Sequence, residues 1–253
     1  MRFFKFTIFT ALLVFLCFAS TVSASSSTDV ENQLNDQSHH LESPNNYIAY
    51  LKGEVSNGNE LAAEGLEKFL SLDEKQQYAF VEALKQPEKM LEAISETGQS
   101  TINVDGIEVP AKITEEMEVT SSNTSYPINI MGSRTVTASQ SIYVGNLKVT
   151  TIYSQVAFNT SGSRATSIIT GNHWHSNINP AMIWNKQTSG SQSYMGNNNT
   201  RAYHRGDWTV YATGALGFIN DSVRFYVSGD AVSRSKQFYS THPNWSDYSW
   251  RSF

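Results

Sequence analysis

Leu147-Lys-Val-Thr-Thr-Ile-Tyr-Ser-Gln-Val-Ala-Phe158 decides the fold class. Ile152, Val156 and Phe158 alternate with polar neighbours, Lys148, Thr150 and Ser154 among them, and Leu147, Val149 and Tyr153 fill in the rest. Apolar positions recurring every second residue, bounded by Gly and Asn, describe a strand and not a helix. The same texture returns at Arg164–Thr170, Ala181–Gln187, Gln192–Met195, Thr200–Thr213 and Val223–Val232. Turn-forming clusters divide these runs: Asn159-Thr-Ser-Gly162, Ser189-Gly190, Gly196-Asn-Asn-Asn199 and Ile219-Asn-Asp-Ser222. Short strands at this spacing predict an antiparallel sandwich or an up-and-down barrel over residues 128–253.

Upstream of that block the pattern changes. Arg2 and Lys5 precede an apolar run from Phe6 to Ala19, and Val22-Ser23-Ala24 offers small residues for cleavage, so residues 1–24 read as an export signal. Leu16 before Cys17 is the wrong neighbour for a lipid anchor, and after cleavage no cysteine remains. A secreted chain without disulfides fits a Gram-positive bacterium better than an animal source. Residues 25–45, rich in Ser, Asn and Gln and carrying His39 and His40, read as a flexible leader.

Residues 46–98 read as acidic amphipathic helices. Asn59 caps a helix through Leu70, Ser71 and Glu74 have capping-box spacing, and Phe80, Val81 and Leu84 share a face. Met90, Leu91 and Ile94 repeat that spacing after Pro87, and Gly98 is a natural stop. Asp105-Gly106 marks a two-residue hairpin turn within residues 99–127, and Thr120-Ser-Ser-Asn-Thr-Ser125 reads as an exposed linker open to proteases. The expected whole is therefore α+β: a small acidic helical region followed by an all-β antiparallel sandwich.

Charge divides along the same line. Residues 25–120 hold 19 acids against 6 bases, a net of −13, and residues 121–253 hold 4 acids against 10 bases, a net of +6. The rear half should be drawn to anionic surfaces, with the front half as a detachable guard. No dense basic cluster appears, so nucleic acid is excluded as a partner. An anionic cell-wall polymer or a membrane surface suits the pattern, and an oligomer would follow if the strands form a pore. Leu147–Phe158 is long enough for one strand of a membrane hairpin, with Arg164–Thr170 a shorter second.

Enzymatic signatures are thin. No Glu follows Glu118, no Gly-x-Ser-x-Gly elbow exists, and no phosphate-cradling Gly loop or cofactor motif is present. A Ser-His-Asp triad stays open, because geometry and not spacing defines it. In Asn172-His173-Trp174-His175 the two imidazoles of a strand share a face, which makes His173 and His175 candidate metal ligands for a hydrolase. Aromatic side chains interleaved with Arg point instead to sugar stacking or an anionic surface. On that basis Trp174, Tyr211, Arg224, Tyr226, Trp245 and Trp250 are the candidate contact residues.

Arg205-Gly206-Asp207-Trp208, then Ala212-Thr213, Ser222 and Phe225-Tyr226, resemble the Trp-bearing C-terminal strands of lactococcin-type secreted β-sandwich bacteriocins. The resemblance covers under a fifth of the chain, and that family is smaller and lacks an acidic helical half. It implies an exported, non-enzymatic antibacterial protein acting at the envelope of related bacteria. The two other readings are an extracellular wall or carbohydrate-binding module and a metal-dependent hydrolase.

Overall fold

The computed structural model describes residues 27–90, 98–123, 131–214, 217–241 and 247–252. The chain is α+β, and strands outweigh helices among the described residues. The helices come first: α1 Ser27–Ser38, a 3-10 turn His39–Leu41, α2 Pro44–Ser56, α3 Glu60–Leu70 and α4 Glu74–Leu84. A short helical turn at residues 87–90 begins at Pro87, as expected; Leu91, Ile94 and the export signal lie outside the described residues.

Ten strands follow in two antiparallel five-stranded sheets, each of which runs in chain order. The first sheet holds β1 Gln99–Val104, β2 Ile107–Asn123, β3 Met131–Val144, β4 Leu147–Ser161 and β5 Arg164–Asn177. The second holds β6 Met182–Gly196, β7 Arg201–Gly214, β8 Gly217–Gly229, β9 Arg234–Ser240 and β10 Asp247–Ser252. Turn chemistry sets the registers. Asp105 (φ 49°) and Gly106 (φ 83°) make the expected two-residue turn, with the Asn103 side chain accepting from the Gly106 N–H at 3.1 Å. At the β6–β7 turn Asn197, Asn198 and Asn199 all take positive φ, which Asn tolerates better than other side-chain-bearing residues.

Register explains why the first sheet alternates as it does. Its outward rows are polar: Glu116–Ser139–Tyr153–Trp174 and Glu118–Thr137–Gln155–Asn172 run across β2 to β5. Several of these side chains bond one another across strands, Gln155 to Thr137 at 2.9 Å and Ser141 to Thr151 at 2.9 Å. Ile152, Val156 and Phe158 point the other way, into a core shared with Trp208, Phe225 and Val227 of the second sheet. Ion pairs also cross between the sheets: Lys236 on β9, buried, meets Glu115 on β2 at 2.7 Å, and Arg251 on β10 reaches the same carboxylate at 3.2 Å.

The helices are part of that core. Tyr47, Leu51, Phe69, Phe80 and Leu84 belong to the same buried cluster as Ile102, Val149 and Ile152. α4 lies against β1, β2 and β3, and α3 against β4. The chain passes from the first sheet to the second at Ile178–Ala181, and helices close over this corner. Tyr47 Oη donates to the Ile178 carbonyl at 3.0 Å, and Ile178 Cδ1 sits so near Gly65 that a Cβ there would stand 2.6 Å away. Tyr47→Phe removes a buried hydrogen bond and is expected to cost about 1–2 kcal/mol, read as a lower denaturant midpoint at unchanged slope.

Several expectations need correction. The segment read as a flexible leader is α1, held because Val30 and Leu34, one helical turn apart, bury against Ile183 and Tyr211. The capping box is Asp73 with Gln76, where carboxylate and amide each satisfy a backbone N–H; Ser71 closes α3 instead. Thr120–Asn123 is strand, paired with Gly132–Thr135, and not part of an irregular linker. Ser189-Gly190 does not end a strand: β6 runs through it, with a bulge between Gln187 and Gln192. Ile219–Ser222 is likewise inside β8.

Candidate functional site

Two neighbouring features of the second sheet carry chemistry, one on its outer face and one beneath it. On the outer face, pairing aligns Tyr194 with Tyr203, Arg205 with Tyr226, and Asp207 with Arg224 and Tyr239. Tyr194 and Tyr203 stack with centroids 5.0 Å apart and planes 4° from parallel. Trp250, brought in by β10, stands edge-on to Tyr203 at 5.7 Å and to Tyr226 at 6.1 Å. Tyr194 is 37% and Trp250 42% exposed, so these four rings form a continuous aromatic surface open to solvent. At Gly196 a Cβ would come within 2.7 Å of the Tyr203 ring, and hydrogen in its place leaves the ring room to lie flat.

The guanidinium groups here are less free than their number suggests. Arg201 is consumed by the fold, bonded to Asp230 at 2.8 Å and to Ser228, Ser233 and Ser235. Arg205 meets Asp207 at 3.1 Å and also donates to the Gly190 carbonyl. Arg224, about half exposed, lies 3.8 Å from the other oxygen of Asp207 and over the Tyr239 ring at 5.4 Å. Burial pushes the Asp207 carboxyl up, and the flanking Arg205 and Arg224 oppose that shift. The result is an aromatic patch edged by an Arg–Asp–Arg cluster in which two guanidinium groups share one carboxylate.

Beneath it, His173 of β5 and His204 of β7 meet between the sheets, 3% and 4% exposed. His204 Nε2 lies 3.3 Å from His173 Nδ1. Ser193 Oγ is 2.8 Å from His204 Nδ1, and His173 Nε2 faces the Gln187 carbonyl at 3.2 Å and Ser191 Oγ at 3.1 Å. Trp208 abuts the His173 ring at right angles, 4.9 Å away. Glycine makes the space. A Cβ on Gly206 would fall 2.5 Å from His173 Cβ, and one on Gly171 would fall 2.3 Å from His204 Nδ1. Burial lowers both imidazoles to about 4, with Lys186 adding to the shift at His173 and His173 adding to that at His204.

The residues singled out from sequence divide between these places and others. Arg224, Tyr226 and Trp250 fall on the outer face of the second sheet. Trp174 is on the opposite side of the molecule's β half, stacked on Tyr153 at 4.9 Å on the outer face of the first sheet. Tyr211 packs against Val30 and Leu34 of α1, so it is not part of the open patch. Trp245 lies outside the described residues. His173 and His175 do not share a ligand position: His173 pairs with His204, and His175 lies beside Trp184 on a cleft of about 670 Å³ edged by Tyr50, Glu54 and Asn59. Among the described residues no three of His, Cys, Asp and Glu gather closely enough to hold a metal ion.

Tyr194, Tyr203, Ser191 and Ser193 are not among the candidate contact residues named from sequence, although one signal finds three of them. Counting outward from the Asn197–Asn199 turn sets Tyr194 opposite Tyr203 and Ser193 opposite His204. No family model, curated protein or solved structure matches this chain. Its function therefore has to be argued from the two sites themselves.

Proposed function

We propose that this is an exported protein that binds a bacterial envelope polymer, sugar-bearing or anionic, through the outer face of its second sheet. The observation that carries this reading is the solvent-open surface of Tyr194, Tyr203, Tyr226 and Trp250 beside Arg205, Asp207 and Arg224. Flat aromatic faces stack on the apolar faces of sugar rings, and the Arg and Asp edge supplies donors and acceptors for hydroxyl, carboxylate or phosphate groups. We read the two sheets as a sandwich, whose rigidity would hold the rings in place before the polymer arrives. An antibacterial outcome, which the lactococcin-type resemblance implies, would follow from occupying the envelope of a neighbouring cell.

The membrane-hairpin alternative has length on its side, since β4 and β5 run to 15 and 14 residues. Yet Ile152, Val156 and Phe158 are locked in the shared core, so insertion would require the first sheet to come apart. Surface binding asks for no such rearrangement.

The test is sedimentation with purified Gram-positive cell wall. Trp250→Ala and Tyr194→Ala are each expected to weaken binding about tenfold or more, the scale of an exposed stacking contact of roughly 1–2 kcal/mol. Trp174→Ala, on the other sheet, should bind like wild type. Equal binding by all three variants would dismiss the site, and leakage from anionic vesicles at the same concentrations would favour the membrane alternative.

A further inference from the structure

We propose that Ser193 is a nucleophile activated by His204, with His173 fixing the tautomer of His204: a Ser–His–His relay for acyl transfer. This goes beyond polymer binding and rests on a separate set of residues. The direction of the relay follows from one atom. The Gln187 carbonyl can only accept, and it faces His173 Nε2 at 3.2 Å. That nitrogen therefore carries the proton, which leaves His173 Nδ1 as acceptor for the N–H of His204 Nε2 at 3.3 Å. His204 Nδ1 is then an unprotonated lone pair, and the Ser193 hydroxyl donates to it at 2.8 Å. Ser191 braces the inner end, its hydroxyl donating to the Gln187 carbonyl at 2.6 Å and accepting from the Asp207 N–H at 3.1 Å.

Nucleophile, base and orienting group thus stand in the order acyl-transfer sites require. Ser193 is an exposed residue on β6, the outermost strand of its sheet, while both imidazoles are buried. Such a strand turns alternate N–H groups away from its partner, and these are the available donors for an oxyanion. Among the described residues no carboxylate touches either imidazole: Asp207 offers its backbone to this side and its oxygens to Arg205 and Arg224, and Lys186 lies near as a cation. An imidazolium is poorly supported there, so the base is weak. The substrate class is accordingly a carboxylic ester with a good leaving group, and not an amide.

The step balances without a cofactor. Ser193 Oγ adds to the ester carbonyl carbon as its proton moves to His204 Nδ1. The tetrahedral adduct collapses, the C–O bond to the leaving group breaks, and the alkoxide departs as alcohol with that proton. Water, deprotonated by the same Nδ1, then releases the acid and restores the serine.

The full-length secreted protein should be treated with a fluorophosphonate probe at pH 8 and digested for mass spectrometry. An adduct on Ser193 is expected, together with p-nitrophenyl acetate hydrolysis at least tenfold faster than in Ser193→Ala. His204→Gln should lose both. Thermal melting separates loss of chemistry from loss of fold: Ser193→Ala, which leaves the buried His204 Nδ1 without its hydrogen bond, should melt somewhat below wild type but still in one cooperative transition. A folded wild-type protein that takes no adduct at Ser193, or takes it as fast in a folded His204→Gln variant, overturns the assignment.

Discussion

Residues 99–253 produced without the helices will not fold to a stable, soluble sheet domain. Tyr47, Leu51, Phe69, Phe80 and Leu84 are at most 2% exposed, and they sit in one cluster with strand residues. Burying each such side chain stabilises by roughly 1.5–3 kcal/mol, so about 10 kcal/mol is at stake. That equals the net stability of a typical domain. The corner at Ile178 would also lose Tyr47, its hydrogen-bond donor, and the close packing of Gly65 on α3. Circular dichroism and dye binding on the truncated chain should show no cooperative melt and an exposed apolar surface. A monomeric truncated chain with a sharp transition near that of the whole protein would restore the idea of a detachable guard.

Acid will destabilise the protein through the buried histidine pair. In the unfolded chain each imidazole titrates near 6.5, and in the fold each is held down to about 4 by burial. The unfolded state therefore binds more protons between those values, and stability falls as pH drops through 6.5 toward 4. The first imidazole to charge should cost about 3 kcal/mol across that window, at up to about 1.4 kcal/mol per pH unit. The second is penalised further by the charge on its partner. The groups facing the pair are Lys186, His175 and Asp207, and Lys186 and His175 deepen the effect at His173. Denaturant midpoints measured from pH 7.5 to 4 should slope downward, and His173→Gln, although less stable at neutral pH, should show a flatter profile. Identical slopes in the two proteins would contradict a role for the histidine pair.

How much of this was legible depended on whether the information was local. Leu147–Phe158 declared itself because its apolar residues alternate within one strand, and Asp105-Gly106 because a turn is set by its own two residues. β3 escapes the periodicity: its polar positions Thr135, Thr137, Ser139 and Ser141 outweigh Val136, Ala138 and Ile142, and the buried Gln140 breaks the apolar stripe. α1 was hidden for a related reason, since two buried residues in twelve do not register against a Ser- and Asn-rich average. The aromatic patch was half visible. Tyr226 and Trp250 stood out by type, but whether an outward ring is open or covered, as Tyr211 is by α1, depends on what packs above it. His173 and His204 lie 31 positions apart and meet only because two sheets close on each other.

The most direct test of polymer binding is oxidative footprinting of tyrosine and tryptophan, with and without purified wall polymer. Tyr194, Tyr203, Tyr226 and Trp250 should lose reactivity when polymer is bound, while Tyr153 and Trp174 on the first sheet keep theirs. Protection confined to Tyr153 and Trp174, with the second sheet's rings still reactive, would contradict the account.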